Sequence, residues 1–532
     1  MARWEANMSD IMNLPWLSII VMAPLVAAGL LLFVPGSSKG TTRILAVCAS
    51  VVSLVGSLLV AVNYDRDAGG YQFREGFDLI PSLGIRYDLG VDGWGVSLLL
   101  LTSLIIFAGS FATWTLRNRD KEFYILLLAL VTGVFGVFVS LDLFVFFLFY
   151  EIAVLPMYLL IGVWGSTKKV AEAGPFRYLF RLLDIGGKEY AAMKLTLMLL
   201  LGSAFILAGI LAMYVENGST TFSILALEQV QYSSDMQWWA FPALWLGFGT
   251  LAGVFPFHTW SPDGHASAPT AVSMLHAGVL MKLGAFGIMR IGMVMLPEGA
   301  LWWAEIVAWV AVINIVYGAL SAMGQTDLKY VIAYSSVSHM GIVMLGAATL
   351  TPEGWNGAIY QMFAHGLMTG LFFALVGLIY ERAHSREIFQ MGGFAKKMPG
   401  VAVFFTIACL SSLGMPGMAG FVAELQVFLG AWSSVFNAGV LWACLGIFGA
   451  WATAVYVLRG TRAIFWGPGP DTERYADLAD ARGTEWVALV LLGGCLILFG
   501  SKPDLILNFI DISTIEYLAP VTDALNEFQG AK

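Results

Sequence analysis

The chain has 532 residues, of which 58% are hydrophobic and only 12% charged, and a globule of that size cannot hide so much apolar surface, so a soluble fold is excluded and the chain belongs in lipid. The formal net charge of −8 is spread over short loops, without the basic tract that binds nucleic acid. Cys48, Cys409, Cys444 and Cys495 lie singly in apolar runs; this lacks the spacing of metal or iron–sulfur sites and reads as four small core residues.

In chain order, Arg3, Glu5 and Asp10 precede the apolar run Trp16–Val34. Without a basic start or a small-residue cleavage site, that run is expected to be retained as a first span. A second, Ile44–Val62, is followed by a polar stretch rich in Gly and Asp from Asn63 to Trp94, expected as a surface loop or hairpin. Further apolar runs follow at Gly95–Leu116, Glu122–Val139, Leu143–Trp164, Ala191–Met213, Trp238–His258, Ala268–Met293, Leu301–Ala322, Leu328–Leu345, Ile359–Tyr380, Val401–Ala431, Ala438–Leu458 and Trp486–Phe499. Each approaches the ~20 residues that cross a ~30 Å hydrocarbon layer. The expectation is an all-α polytopic membrane protein with about fourteen transmembrane helices.

That even number puts both termini on one side. Loop charge then orients the chain: of the 28 Lys and Arg, nineteen fall in loops opposite the termini, six on the termini's side and three inside spans. Cationic loops stay in the cytoplasm, so both termini and the Asn63–Trp94 stretch are expected outside, and the loops at Thr167–Glu189 and Glu381–Met398 inside.

The stretch Trp245–Gly292 is cut by Pro256, Pro262 and Pro269 and carries His258, Asp263, His265, His276 and Lys282. Proline removes a backbone donor, and a broken helix in lipid is tolerated where the freed carbonyls find side chains, water or neighbouring helices. Beside a buried lysine, this signals a transport pathway. A second break is expected at Pro416, five spans after Pro256. Five being odd, two five-span units in tandem would have opposite topology.

Five titratable residues sit at matching depth: Glu151, Lys282, His339, His365 and Glu424. Each costs a few kcal/mol in lipid unless paired or hydrated, so a hydrated row of proton-exchanging groups is the economical reading. Asp142 and Glu305, nearer span ends, read as solvated. For His265, in the polar turn after the break, a loop residue and a residue at a channel mouth both stay open. No phosphate loop, dinucleotide fingerprint, metal-ligand pair or nucleophile motif is present.

The segments FPFHTWSPDGHASAPTAVSMLHAGVLMKLGAFG, TDLKYVIAYSSVSHMG, AHGLMTGLFFALVGLIYERAHSRE and MPGMAGFVAEL resemble the proton-translocating membrane subunits of respiratory complex I, most closely the M or subunit-4 type of NADH-quinone oxidoreductase. The resemblance covers nearly the whole chain. It implies fourteen spans, with spans four to eight and nine to thirteen as inverted repeats and the seventh and twelfth broken. The corresponding division is 1–121 for three N-terminal spans with an external loop, 122–293 and 294–465 for the two repeats, and 466–532 for the last span and an external tail. It also implies roles: Glu151 as the fifth-span acid, Lys194 as a sixth-span lysine, Lys282 as the central lysine, His339 and His365 as bridges, and Glu424 as the terminal acid.

One match fails. The family's seventh-span lysine, seven residues before His258, is here Leu251. The cationic partner of Glu151 is therefore expected to have moved to Lys194 or, more weakly, to His276.

The function implied is coupling of quinone reduction, performed in other subunits of a bacterial inner-membrane NADH-quinone oxidoreductase, to proton transfer through this chain. NADH, FMN, iron–sulfur clusters and quinone would be bound by partner subunits, with no cofactor or metal in this chain, and other membrane subunits would flank it along the membrane arm. Two rivals remain open: a subunit of a multisubunit cation/proton antiporter or membrane-bound hydrogenase, and a structural spacer whose pump has decayed.

Overall fold

A computed structural model describes residues 14–114, 118–167, 186–468, 475 and 478–530. Most of the loop Thr167–Glu189 lies outside them. The apolar runs form helices whose first free N–H groups are met by short polar side chains. Asp92 accepts from Gly95 N, Asp142 from Phe144 N and Val145 N, Ser233 from Met236 N, Asp327 from Lys329 N and Thr351 from Gly354 N.

Spans 1 to 6 are Trp16–Phe33, Lys39–Asn63, Gly93–Ala112, Asp120–Val139, Leu143–Trp164 and Lys188–Glu216. Span 7, Ser234–Ser267, is broken between its halves 7a (Ser234–Ala252) and 7b (Trp260–Ser267). Spans 8 to 11 are Thr270–Met293, Pro297–Gly324, Leu328–Ala348 and Pro352–Ala383. Span 12 is broken into Pro399–Ser412 and Ala419–Ser433, and spans 13 and 14 are Gly439–Trp466 and Glu485–Ser501. The stretch between spans 2 and 3 is an antiparallel hairpin, Gln72–Ile80 with Ile85–Val91. Its Glu75 caps span 1 by accepting from Leu17 N and Ser18 N at 2.8 and 2.9 Å. We call this the hairpin face.

Beyond span 14 a helix runs from Asp504 to Gly530, long and apolar enough to cross a membrane. Its contacts place it otherwise. Ser513 Oγ accepts from Gly93 N, Thr514 Oγ1 accepts from Trp94 Nε1, Glu516 accepts from Gly70 N and Asp511 accepts from Asn356 Nδ2. These partners are the hairpin-face ends of spans 3 and 11 and the loop after span 2, so the terminal helix lies across that face.

The two five-span units carry the same internal brace on opposite faces. In the first, Asp142 bridges Ser223, with Leu143 N donating to Phe222 O and Ile224 N to Leu141 O. In the second, Asp327 bridges Glu387, with Leu328 N donating to Arg386 O and Ile388 N to Thr326 O. Asp142 binds the hairpin through Arg86 N, whereas Asp327 caps a span that starts on the opposite face. The repeats are inverted.

Burial locates the axis: every residue in the apolar windows of spans 8 and 11, and 94% in span 10, is buried. These helices carry Lys282, His365 and His339. Cys409 is buried as expected, but Cys48 and Cys444 are exposed, a correction with a simple cause: on the lipid-facing side of a span a small thiol costs nothing to expose.

Candidate functional site

Both breaks expose backbone at mid-span, and each is met by a polar side chain from a neighbouring helix. In span 7, where Gly253 takes φ +74, Asn314 of span 9 accepts from Phe255 N at 2.9 Å while its amide donates to Gly253 O. In span 12 the free carbonyl of Ser412 faces His339 Nε2 at 3.2 Å. Freed backbone groups in lipid persist only with such partners.

Spans 8 and 11 meet backbone to backbone. A Cβ on Gly366 would stand 2.6 Å from Gly278 O and 2.7 Å from Leu101, so only glycine permits the approach. That contact brings Lys282 Nζ to 2.7 Å from His365 Nδ1. Lys282 also donates to Ala277 O, in a π-helical turn over His276–Leu280, a wide turn often found at functional sites.

From Lys282 the row continues. The His365 and His339 rings stack with centroids 5.1 Å apart. His339 Nδ1 faces Ser335 O at 2.8 Å, and its Nε2 lies 3.7 Å from Glu424 Oε1. Both ring nitrogens thus face acceptors, and the neutral ring can donate to only one at a time. Glu424 fits beneath the second break because Gly414, at φ +67, has no side chain: a Cβ there would stand 2.6 Å from Glu424 Oε2. Lys282, His365, His339 and Glu424 form one continuous row from four helices, none more than 6% exposed.

A second cluster flanks Lys282. The His265 and His276 rings lie 4.0 Å apart, and both residues are 0% exposed. His265 is not in a polar turn. It sits inside half-helix 7b, because the helix resumes at Trp260 after the break. Its Nε2 faces Met281 Sδ at 3.4 Å, while His265 Nδ1 and both His276 nitrogens have no hydrogen-bond partner among the described residues.

Lys194 pairs elsewhere than expected. Its Nζ is 2.7 Å from Asp263 Oδ2, and Tyr330 OH donates to Asp263 Oδ1 at 3.0 Å. Glu151 shares an outward stripe of span 5 with the exposed Phe144, Leu148, Leu155 and Tyr158. Its carboxyl neighbours Ser203 of span 6, and its Oε1 has no hydrogen-bond partner among the described residues. Neither Lys194 nor His276 bonds Glu151. Lys194 instead has Asp263 on 7b as its ion-pair partner, and Trp260 stacks on His276 with ring centroids 5.2 Å apart.

Two side chains assigned to solvent or counted among the nineteen loop cations, Asp142 and Lys329, are buried instead, and a third, Arg386, is half-buried. Asp142 is 0% exposed as the brace of the first unit, Lys329 is 5% exposed, and Arg386 pairs with Asp327 at 3.1 Å. The signal was present in T-D-L-K, since an N-cap aspartate starts the helix at Leu328 and puts Lys329 in its first turn. Arg290, near the hairpin face, pairs with Asp92 at 2.5 Å between the rings of Tyr71 and Tyr517, 4.7 and 4.8 Å from its guanidinium.

Residues 140–449 match the family described as NADH:quinone oxidoreductase/Mrp antiporter, transmembrane. The chain is 37% identical over 525 residues to NAD(P)H-quinone oxidoreductase chain 4 1 of Picosynechococcus sp., covering 97% of this chain and 94% of that one. It is 36% identical to the chain of the same name from Nostoc sp., with 98% and 95% covered. Among solved structures it superposes on a chain of respiratory complex I from Thermus thermophilus with bound NADH at TM-score 0.81 and 28% identity, covering 94% of this chain and 99% of that one. A chain of the Mrp complex from Dietzia sp. gives TM-score 0.79 at 20% identity, covering 96% and 98%, which shows the shared fold. With a family match over more than half its length and full-length relatives above 30% identity, the chain belongs to the NADH:quinone oxidoreductase/Mrp antiporter membrane-subunit family, as a chain-4-type proton-translocating membrane subunit of a multisubunit NADH:quinone oxidoreductase.

Proposed function

We propose that protons cross this subunit along the row Lys282, His365, His339 and Glu424, driven by quinone reduction in other subunits. The observation that carries the reading is the continuity of that row. A lysine touches a histidine, two histidines stack, and the last reaches a carboxylate at the second helix break. A charge arriving at one buried group shifts its neighbours' proton affinity by one to three pKa units. A change at Lys282 therefore alters what His339 and Glu424 hold, which is coupling between sites. The nineteen-to-six loop charge bias supports a bacterial plasma-membrane placement with the hairpin face outside. Protons then enter from the opposite face and leave near Glu424. NADH, FMN, iron–sulfur clusters and quinone belong in this reading to partner subunits, and further membrane subunits flank the outward stripe of Glu151.

The test is proton pumping per quinone reduced by the assembled complex in proteoliposomes. Lys282→Met and Glu424→Gln should each lower the ratio while the complex still assembles. A wild-type ratio in either variant removes that residue from the route. The antiporter-subunit alternative draws on the shared family model and the fold of the Mrp chain, whereas the full-length relatives are quinone oxidoreductase chains; the spacer reading requires scattered loss from the row, whereas all its members remain in contact.

A further inference from the structure

Half-helix 7b ends at Ser267, so the carbonyls of its last turn lack partners within the helix. Two cations from the second unit supply them. Arg386 Nη1 donates to Ala266 O and Lys329 Nζ to Ala268 O, both at 2.7 Å. Cations suit the negative end of a helix dipole, yet the two are not equivalent. Arg386 is paired with Asp327 and cannot give up a proton at ordinary pH. Lys329 makes no ion pair among the described residues and holds only a carbonyl, at the start of span 10 on the face opposite the hairpin.

Directly beneath lies the histidine pair. Ser273 Oγ is 3.1 Å from Ala268 O, the oxygen that receives Lys329, and 3.0 Å from His265 O. The His265 ring touches His276, and Met281, which His265 Nε2 faces, is next in sequence to Lys282. Three ring nitrogens of this pair are fully buried without partners, although buried polar nitrogens are nearly always hydrogen-bonded. Imidazoles that can take a proton on one nitrogen and release it from the other suit relay work. The usual family position for a lysine beside Glu151 is the buried apolar Leu251, and Glu151, whose Oε1 is buried without a hydrogen-bond partner, makes no ion pair among the described residues.

We propose that Lys329 is the proton-input group of this subunit, delivering protons from the face opposite the hairpin to Lys282 through His265 and His276. This rests on the Lys282-to-Glu424 reading and adds its missing first half. The Lys329 ammonium gives a proton to His265 Nδ1, directly or through water. The pair passes it on to the neutral Lys282 amine, and Lys329 is reprotonated from solution at its own face. No electrons move, and one proton enters for each one leaving at Glu424.

Lys329→Arg separates this role from a structural one, because arginine keeps the charge and the donor for Ala268 O but does not release its proton. The measurement is again protons pumped per quinone reduced by the assembled complex. We expect Lys329→Arg to fall to the Lys282→Met value, and the double variant to fall no further. A Lys329→Arg ratio nearer wild type than Lys282→Met overturns the assignment. Should Lys329→Arg not assemble, His265→Leu decides on the same scale, a near-wild-type ratio overturning the route. If Lys282→Met itself pumps normally, the central reading fails and this one with it. If Lys282→Met is impaired and Lys329→Arg is not, only the input assignment fails.

Discussion

The Asp92–Arg290 pair provides a quantitative test of how the hairpin face is closed. Its side chains are 1% and 4% exposed, and the guanidinium lies between Tyr71, just before the hairpin, and Tyr517 of the terminal helix. Asp92→Asn keeps a side-chain oxygen to cap Gly95 N but removes the directly paired charge, leaving the buried cation only the more distant Glu228, which accepts from Tyr71 OH. Breaking such a pair costs about 3–5 kcal/mol. Lifting the terminal helix would hydrate the guanidinium and recover much of that cost, so the cost of opening the helix falls by a similar amount. At 1.4 kcal/mol per tenfold, even about 3 kcal/mol raises the open population roughly a hundredfold. Amide hydrogen exchange of residues 504–527 in the purified complex reads that population when reclosing outpaces exchange. We expect exchange in Asp92→Asn to be about two decades faster, and the double variant Asp92→Asn/Arg290→Met to recover part of the loss because no charge is then stranded. Exchange within threefold of wild type in Asp92→Asn would refute the argument that this pair holds the terminal helix down.

Gly366→Ala inserts a methyl 2.6 Å from Gly278 O; overpacking of this kind costs about 1–3 kcal/mol, and separating Lys282 from His365 should lower pumping more than complex abundance, whereas Gly494→Ala, with nothing within 4 Å, should change neither. Gly414→Ala meets both a left-handed backbone and the Glu424 carboxylate at 2.6 Å, and should cost about 1–2 kcal/mol of backbone strain while reducing pumping toward that of Glu424→Gln. For orientation, Ser82→Cys at the exposed hairpin tip should react with an impermeant thiol reagent on intact cells, and Lys396→Cys, also exposed, only after permeabilisation; the reverse pattern would invert the topology.

Composition and periodicity determined that this chain lives in lipid, that it crosses about fourteen times, and where two of those helices break, because a hydrocarbon layer admits few structures and proline interrupts a helix by a local steric rule. The charge tally and the depths of Lys282, His339, His365 and Glu424 were equally legible, since depth is distance along a helix counted in residues. Which groups meet was not. Lys194 pairs with Asp263 rather than Glu151 because rotation of spans 6 and 7 about their axes is fixed by packing, and nothing local encodes it. His265, expected in a turn, is buried because the helix restarts at Trp260. The long apolar helix at Asp504–Gly530 lies across the hairpin face because Gly93, Trp94 and Asn356 wait there with hydrogen-bonding groups. Lys329 could be counted as a loop cation until the second unit was seen to fold its span start against the last carbonyls of the first. Contacts between inverted units join residues far apart in sequence, and only the tertiary structure chooses them.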